Sequence, residues 1–130
     1  MPIDREAILS PGAPAPVGPY SHAVRGAGLV FTAGLIPTDP MTGALIEGDV
    51  QAQTRRVLDT MQLVLEEAGT GLEAVVKMTV YLADLADFEA MNAAYQDYFP
   101  KAPPARTTYQ PGGLPLGALV EMEAVALSGS

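Results

Sequence analysis

Two residues stand out as able to do chemistry together. Arg106 lies in Pro103-Pro104-Ala105-Arg106-Thr107-Thr108, and Glu121 lies in Leu119-Val120-Glu121-Met122-Glu123. The chain offers few rivals: no cysteine, no tryptophan, one histidine (His22) and seven Lys plus Arg. A guanidinium in an extended segment presents a planar fork that matches a carboxylate. A glutamate on an apolar strand can orient water or move a proton. The pair therefore points to a site for a small carboxylate. The alternatives are an ion pair for Arg106 and, for Glu121, membership of a solvated Glu121/Glu123 face.

The elements that must carry these residues are legible in the pattern. The prolines at 103 and 104 disfavour helix entry, so 106–110 is expected to be extended. Over 119–127, Val120, Met122, Ala124 and Ala126 alternate with Glu121 and Glu123, as in a half-buried strand. Residues 75–82 alternate likewise. Residues 50–68 place Val57, Leu58, Met61, Val64 and Leu65 at helical spacing, with Asp49 as N-cap and Gly69 as stop. A second helix starts at Asp87, carries Phe88, Met91, Asn92, Tyr95 and Phe99 on one stripe, and ends at Pro100. Residues 23–25 and 29–33 flank Gly26-Ala27-Gly28 as a hairpin. Residues 10–19 are a proline-rich lead-in, and 37–43 a turn-rich connection. The order is two strands, helix, strand, helix, two strands. It suits an α+β domain of two layers with both helices on one face of the sheet. The other face, carrying Glu121 and Glu123, then needs cover from a partner subunit.

Length and composition set the frame. The 130 residues form one domain, 1–130, with 48% apolar and 17% charged residues. The net charge of −8 and the scattered bases give no phosphate track, which argues against nucleic acid. Without cysteine there is no disulfide or thiolate chemistry. One histidine and dispersed acids offer no metal spacing, and no glycine-rich nucleotide loop precedes a helix. No cofactor is expected. The first residues lack the apolar core of a signal peptide, and no apolar run reaches membrane-spanning length. A soluble, cytoplasmic protein is the expectation.

The ordered stretches Gly18-Pro19-Tyr20-Ser21-His22-Ala23-Val24, Gly34 with Ile36-Pro37, residues 75–82, residues 87–95, Pro104-Ala105-Arg106-Thr107, and Leu114-Pro115 running on to residues 120–126 resemble the YjgF/Rid family of reactive-intermediate deaminases. The resemblance runs from about residue 10 to the end. It implies a chorismate-mutase-like α+β fold with one mixed sheet, assembled as a homotrimer with sites between subunits. It also implies cofactor-free hydrolysis of 2-imino or 2-enamino acids to 2-keto acids and ammonia.

The resemblance makes Arg106 the carboxylate-binding residue and Glu121 the one that positions water. Tyr20 is matched to a tyrosine at the cleft; packing of its ring near a turn is the other use. Asn92 either supports the cleft backbone or meets ligand, and support is preferred. Thr108 shares a strand face with Arg106 and can offer its backbone N–H to the carboxylate. Gly34 allows close approach to a ligand or is a strand-end kink. Glu123 is expected to be structural, pairing with a basic residue across the trimer. His22 is expected to be structural and partly exposed. The chain departs from the family where Ala33-Gly34-Leu35 stands in place of Ser-Gly-Gln. Thr32 cannot replace that serine, because neighbouring strand residues face opposite ways. Tyr109 should point away from Arg106. Three functions compete: the deaminase, a non-catalytic trimer binding keto acids or other carboxylates, and the ribonuclease or translation-inhibitor activity attached to parts of the family.

Overall fold

In the computed structural model, which describes residues 3–129, sequence patterning and observed elements agree closely around the first helix. Helix α1 spans Val50–Glu67; the Asp49 side chain accepts from the Ala52 N–H at 3.0 Å. At its other end Gly69 adopts φ +82°, and the Gly69 and Thr70 N–H groups close onto Glu66 and Leu65 carbonyls, both at 2.9 Å. That is a Schellman stop, which needs a residue tolerant of the left-handed region. The Arg25 guanidinium donates to the Ala68 carbonyl and places a cation at the negative end of the helix.

The strands are β1 (Glu6–Ile8), β2 (Ala23–Gly26), β3 (Leu29–Thr32), β4 (Val75–Leu82), β5 (Ala105–Tyr109) and β6 (Val120–Leu127). They form one six-stranded sheet in the order β1-β2-β3-β6-β4-β5. Only the β4–β5 pair is parallel, so the sheet is mixed as expected. Helix α2 (Phe88–Tyr95) makes the crossover between β4 and β5. Both helices pack on one face, where Val30, Met78, Val80 and Met122 meet Leu58, Met61, Leu65 and Met91, all fully buried. The opposite face carries Tyr81, Glu121 and Glu123, half-buried, and Phe31, 45% exposed.

Three expectations need correction. β1 was not foreseen: its three residues are too few to show alternation, and it is held only by pairing with β2. Asp87 does not cap α2 through its side chain. Asp84 instead caps a 3-10 turn, Leu85–Asp87, by accepting from the Ala86 N–H at 2.9 Å, and the chain runs straight into the helix. The α-helix also stops at Tyr95, giving way to a 3-10 turn over Gln96–Tyr98, well before Pro100. No helix among the described residues is long and apolar enough to cross a membrane.

Candidate functional site

Parallel pairing fixes where Arg106 points. Met78 is level with Arg106 and Val80 with Thr108, so the two β5 side chains share one face, as expected, and that face is the helix-bearing one. There the Arg106 guanidinium donates to the Asn92 amide oxygen at 2.7 Å. It lies over the Tyr95 ring at 4.7 Å and the Phe88 ring at 5.5 Å. Such cation–π contacts are worth ~0.5–2 kcal/mol each, more as water is excluded. Two ion pairs form among the described residues, Arg25–Glu6 and Arg55–Asp97, and Arg106 belongs to neither. Asn92 thus has a positioning role, but toward the guanidinium rather than the backbone. One turn of α2 puts Asn92 and Tyr95 on the same side, facing β5.

Two hydroxyls beside this cation have no protein partner. Tyr95 is buried, and its hydroxyl makes no hydrogen bond; nor does that of Thr108. Burial pushes the Tyr95 hydroxyl up to about 12, with Arg106 acting in the opposite direction. Buried polar atoms are nearly always hydrogen-bonded, so this cluster is chemically unsatisfied by the chain alone. Tyr109, as expected, faces away from Arg106 and packs edge-on against Tyr81 with ring centroids 5.1 Å apart.

Glu121 lies on the other face of the sheet. It is level with Tyr81, and Glu123 with Thr79. Tyr81 donates its hydroxyl to the Glu123 carboxylate, which raises the tyrosine's own pKa. Within the chain, Glu123 is thus held by a tyrosine hydroxyl. Glu121 makes no such bond. Burial, and secondarily the charge of Glu123, holds its carboxyl above the usual range. A carboxyl shifted in this direction returns a proton less reluctantly than a free glutamate does.

Gly34 is next to this carboxylate. A Cβ at position 34 would collide with Glu121. Leu35 bridges to Met122 through reciprocal backbone bonds of 2.8 and 3.1 Å, which holds the bare backbone at 34 in place. Gly34 does permit a close approach, and the group that approaches is Glu121. Thr32 is occupied elsewhere: its hydroxyl accepts from the Ala124 N–H at 3.0 Å and donates to the Ala33 carbonyl at 2.9 Å. It does not stand in for a serine at 33.

Tyr20 is exposed, and its hydroxyl accepts from the Val17 N–H at 3.3 Å. With Gly34, Leu35, Ile36 and Leu116 it lines a small cavity of about 60 Å³. His22 is buried rather than partly exposed. Its Nδ1 accepts from the Ser10 N–H at 2.9 Å and its Nε2 donates to the Pro14 carbonyl at 2.7 Å, which defines a neutral ring pinning the lead-in segment. A roomier groove of about 620 Å³ beside Leu72, Tyr98 and Phe99 contains neither Arg106 nor Glu121. No three metal-ligating side chains gather among the described residues.

Arg106 and Glu121 are thus not brought together within one chain. They lie on opposite faces, with β4 between their strands. Two strand spacings and three residues of rise separate their Cα atoms by roughly 14 Å. The stacking partners Phe88 and Tyr95 were read only as a core stripe. Their signal was the stripe itself, which runs past Asn92, the one amide on it.

The family model described as endoribonuclease L-PSP matches residues 11–128. A RutC family protein of Pyrococcus abyssi is 48% identical over 122 residues, covering 94% of this chain and 96% of that one. The 2-iminobutanoate/2-iminopropanoate deaminase of mouse is 40% identical over 127 residues, covering 98% and 94%. Among solved structures, that of E. coli TdcF with bound serine aligns with a TM-score of 0.90 at 35% identity, covering 95% of this chain and 99% of that one.

Proposed function

This chain belongs to the YjgF/Rid family, described in its family model as endoribonuclease L-PSP, and on that premise we propose that it hydrolyses 2-imino and 2-enamino acids to 2-keto acids and ammonia. The observation that carries the reading is Arg106: a guanidinium clamped by Asn92, Phe88 and Tyr95, outside both ion pairs of the described residues, and flanked by hydroxyls without partners. A ligand carboxylate answers all three deficits, accepting two bonds from the fork and one each from the Tyr95 and Thr108 hydroxyls. The mouse relative's name, which specifies short 2-imino acids, supports the same substrate class.

The reaction needs no nucleophilic side chain, because the carbon of a C=N bond is already electrophilic. The imine enters carrying a proton from solvent, as the iminium; ionised Glu121 accepts a proton from water as the oxygen attacks C2, leaving a neutral carbinolamine. Glu121 returns that proton to the nitrogen, and as the C–N bond breaks and ammonia leaves, the carbinol hydroxyl gives its proton to the ionised Glu121 and the carbonyl forms. The elevated carboxyl of Glu121 suits both directions. Gly34 leaves that carboxylate room, and Tyr20 stands at the rim.

Because one chain holds Arg106 and Glu121 on opposite faces, each site takes Arg106, Asn92 and Thr108 from one copy. Glu121, Gly34 and Tyr20 come from the next. A homotrimer closes such a head-to-tail arrangement and covers the uncovered sheet face. The test is hydrolysis of imines generated by an amino-acid oxidase, with semicarbazide as competing trap. We expect wild type to diminish trapping and Arg106→Ala to lose about 10–100-fold in kcat/KM, the worth of a charge-assisted bidentate pair. Full activity in Arg106→Ala overturns the assignment. Carboxylate binding without turnover converts it to the non-catalytic trimer. Cleavage of RNA in place of imines converts it to a nuclease, for which a net charge of −8 is poorly suited.

A further inference from the structure

We infer that His22 is a positioning residue for the proposed reaction: its imidazole clamps residues 10–21, and through them holds Tyr20 at the rim of the site. The inference rests on the deaminase reading above. The lead-in has little else to hold it. Prolines at 11, 14, 16 and 19 lack the N–H groups that a strand would need. Of residues 11–20, Ala13 alone is buried, and Val17 is 84% exposed. Among the described residues, the segment makes three hydrogen bonds to the rest of the chain, and the His22 ring makes two of them. The third joins the Ser10 hydroxyl to the Leu63 carbonyl at a long 3.4 Å.

Both ring bonds have a fixed sense. The Ser10 N–H can only donate, so Nδ1 at 2.9 Å is bare; the Pro14 carbonyl can only accept, so Nε2 at 2.7 Å carries the proton. Neither cavity that His22 lines contains an Asp, Glu, Lys or Arg, so the ring has no charged partner to draw it away. The clamp is mounted on the sheet. His22 immediately precedes β2, and its carbonyl accepts from the Ala33 N–H at 2.9 Å. From the clamp the position is carried to Tyr20. Pro16 and Pro19 stiffen the intervening chain, and the Val17 N–H closes onto the Tyr20 hydroxyl at 3.3 Å. Pro14, Val17 and Tyr20 then share one cavity with Gly34, the residue that Glu121 approaches. The imidazole does not meet the reacting atoms; what it supplies is the place of Tyr20.

The test has a spectroscopic arm and a kinetic one. His22 is the one histidine of the chain, so long-range 1H–15N spectra of untagged protein at pH 7 report this ring alone. We expect the Nε2–H tautomer with a bare Nδ1; a ring protonated on Nδ1 overturns the clamp. Kinetics on oxidase-generated imines then compare three variants. His22→Gln carries an acceptor and a donor on one planar group and can make both bonds; His22→Asn is a methylene shorter and reaches one; His22→Leu makes none. KM should stay within about threefold of wild type in His22→Gln and rise by about tenfold in His22→Leu, with His22→Asn between. Because Arg106 and Glu121 ride on the sheet, kcat should change by less than about threefold in all three. In a Tyr20→Ala background, His22→Leu should add less than about twofold to KM, since its effect passes through Tyr20. Equal KM in the glutamine and leucine variants, or full additivity with Tyr20→Ala, overturns the positioning role and leaves the deaminase standing. If His22→Leu does not fold, equal KM in His22→Gln and His22→Asn overturns it instead. Wild type inert toward every imine overturns the deaminase reading and the positioning role with it.

Discussion

If Arg106 and Glu121 serve one site from two different copies, two dead variants should revive each other. Arg106→Ala and Glu121→Gln each remove one half of every site in a homomeric assembly. Co-expressed in equal amounts and purified through one tag common to both, the chains mix at random. A site regains both groups only when its arginine comes from a Glu121→Gln chain and its glutamate from an Arg106→Ala chain. Each condition is met half the time, so about one quarter of sites are intact in a head-to-tail ring. If loss of the acid–base group costs ~10²-fold or more, the mixture exceeds the Glu121→Gln parent by about 25-fold or more, and the Arg106→Ala parent, with its loss of about 10–100-fold, by about 2.5–25-fold. A second mixture sharpens the test. Wild type combined with the Arg106→Ala/Glu121→Gln double variant should show about one quarter of full activity if sites are split, and about one half if each chain carries its own complete site. The semicarbazide-trapping assay reads both. Activity no higher than the parents' average in the first mixture, or one half in the second, refutes the face argument. That argument rests on β4: Met78 and Tyr81 face opposite ways, Arg106 is level with the first and Glu121 with the second.

The remaining predictions concern the carboxylate and the glycine beneath it. Glu121→Gln should lower kcat by ~10²–10⁴-fold with a smaller change in KM; equal losses in both would make Glu121 a binding group. Because burial and Glu123 raise the Glu121 carboxyl, the acid limb of the wild-type kcat profile should lie above the ~4.3 of a free glutamate. The same shift has a stability sign. The folded chain holds this proton more readily than the unfolded one, so the contribution is favourable in acid and is lost as pH rises through the folded pKa. Glu121→Gln should therefore melt above wild type at pH 7, with the gap closing toward pH 4; a lower Tm at neutral pH contradicts the burial argument. Gly34→Ala should displace the Glu121 carboxylate and cost ~10²-fold in kcat, as a misplacement on the order of 1 Å can. Full activity in that variant would mean the carboxylate position is not critical.

What was legible in the chain, and what was not, divides along physical lines. Helix α1 could be read because its cap, its stop and its apolar period agree, and each is a local property. Strand β6 could be read because its eight alternating residues outnumber any accident of composition. In β4 the alternation holds only from Lys77 on: Val76, expected on the buried face with Met78, Val80 and Leu82, is 43% exposed because a bulge between Val75 and Lys77 shifts the register. Even the orientation of Tyr109 and the unavailability of Thr32 followed from alternation alone. β1 was hidden because three residues carry no period. The cap of α2 was misplaced because two aspartates, Asp84 and Asp87, both suit the role. The choice fell to a 3-10 turn that no sequence pattern announces. His22 was judged by its polarity, whereas its burial depends on Ser10 and Pro14, which only the folded lead-in brings to its ring.

The site itself was half legible for a deeper reason. Residue type and spacing identify Arg106 and Glu121 as the chemically able pair, and strand alternation assigns each to a face. Whether the two faces are the same face depends on the pairing of β5 to β4 and of β4 to β6, which is a property of topology rather than of either strand. Once Met78 is level with Arg106 and Tyr81 with Glu121, the separation follows with no further information. The uncovered sheet face, the cation left outside the ion pairs and the divided pair then become one observation. Each is a deficit in the single chain; the head-to-tail assembly proposed above would cover the face and reunite the pair, and the ligand carboxylate would answer the cation.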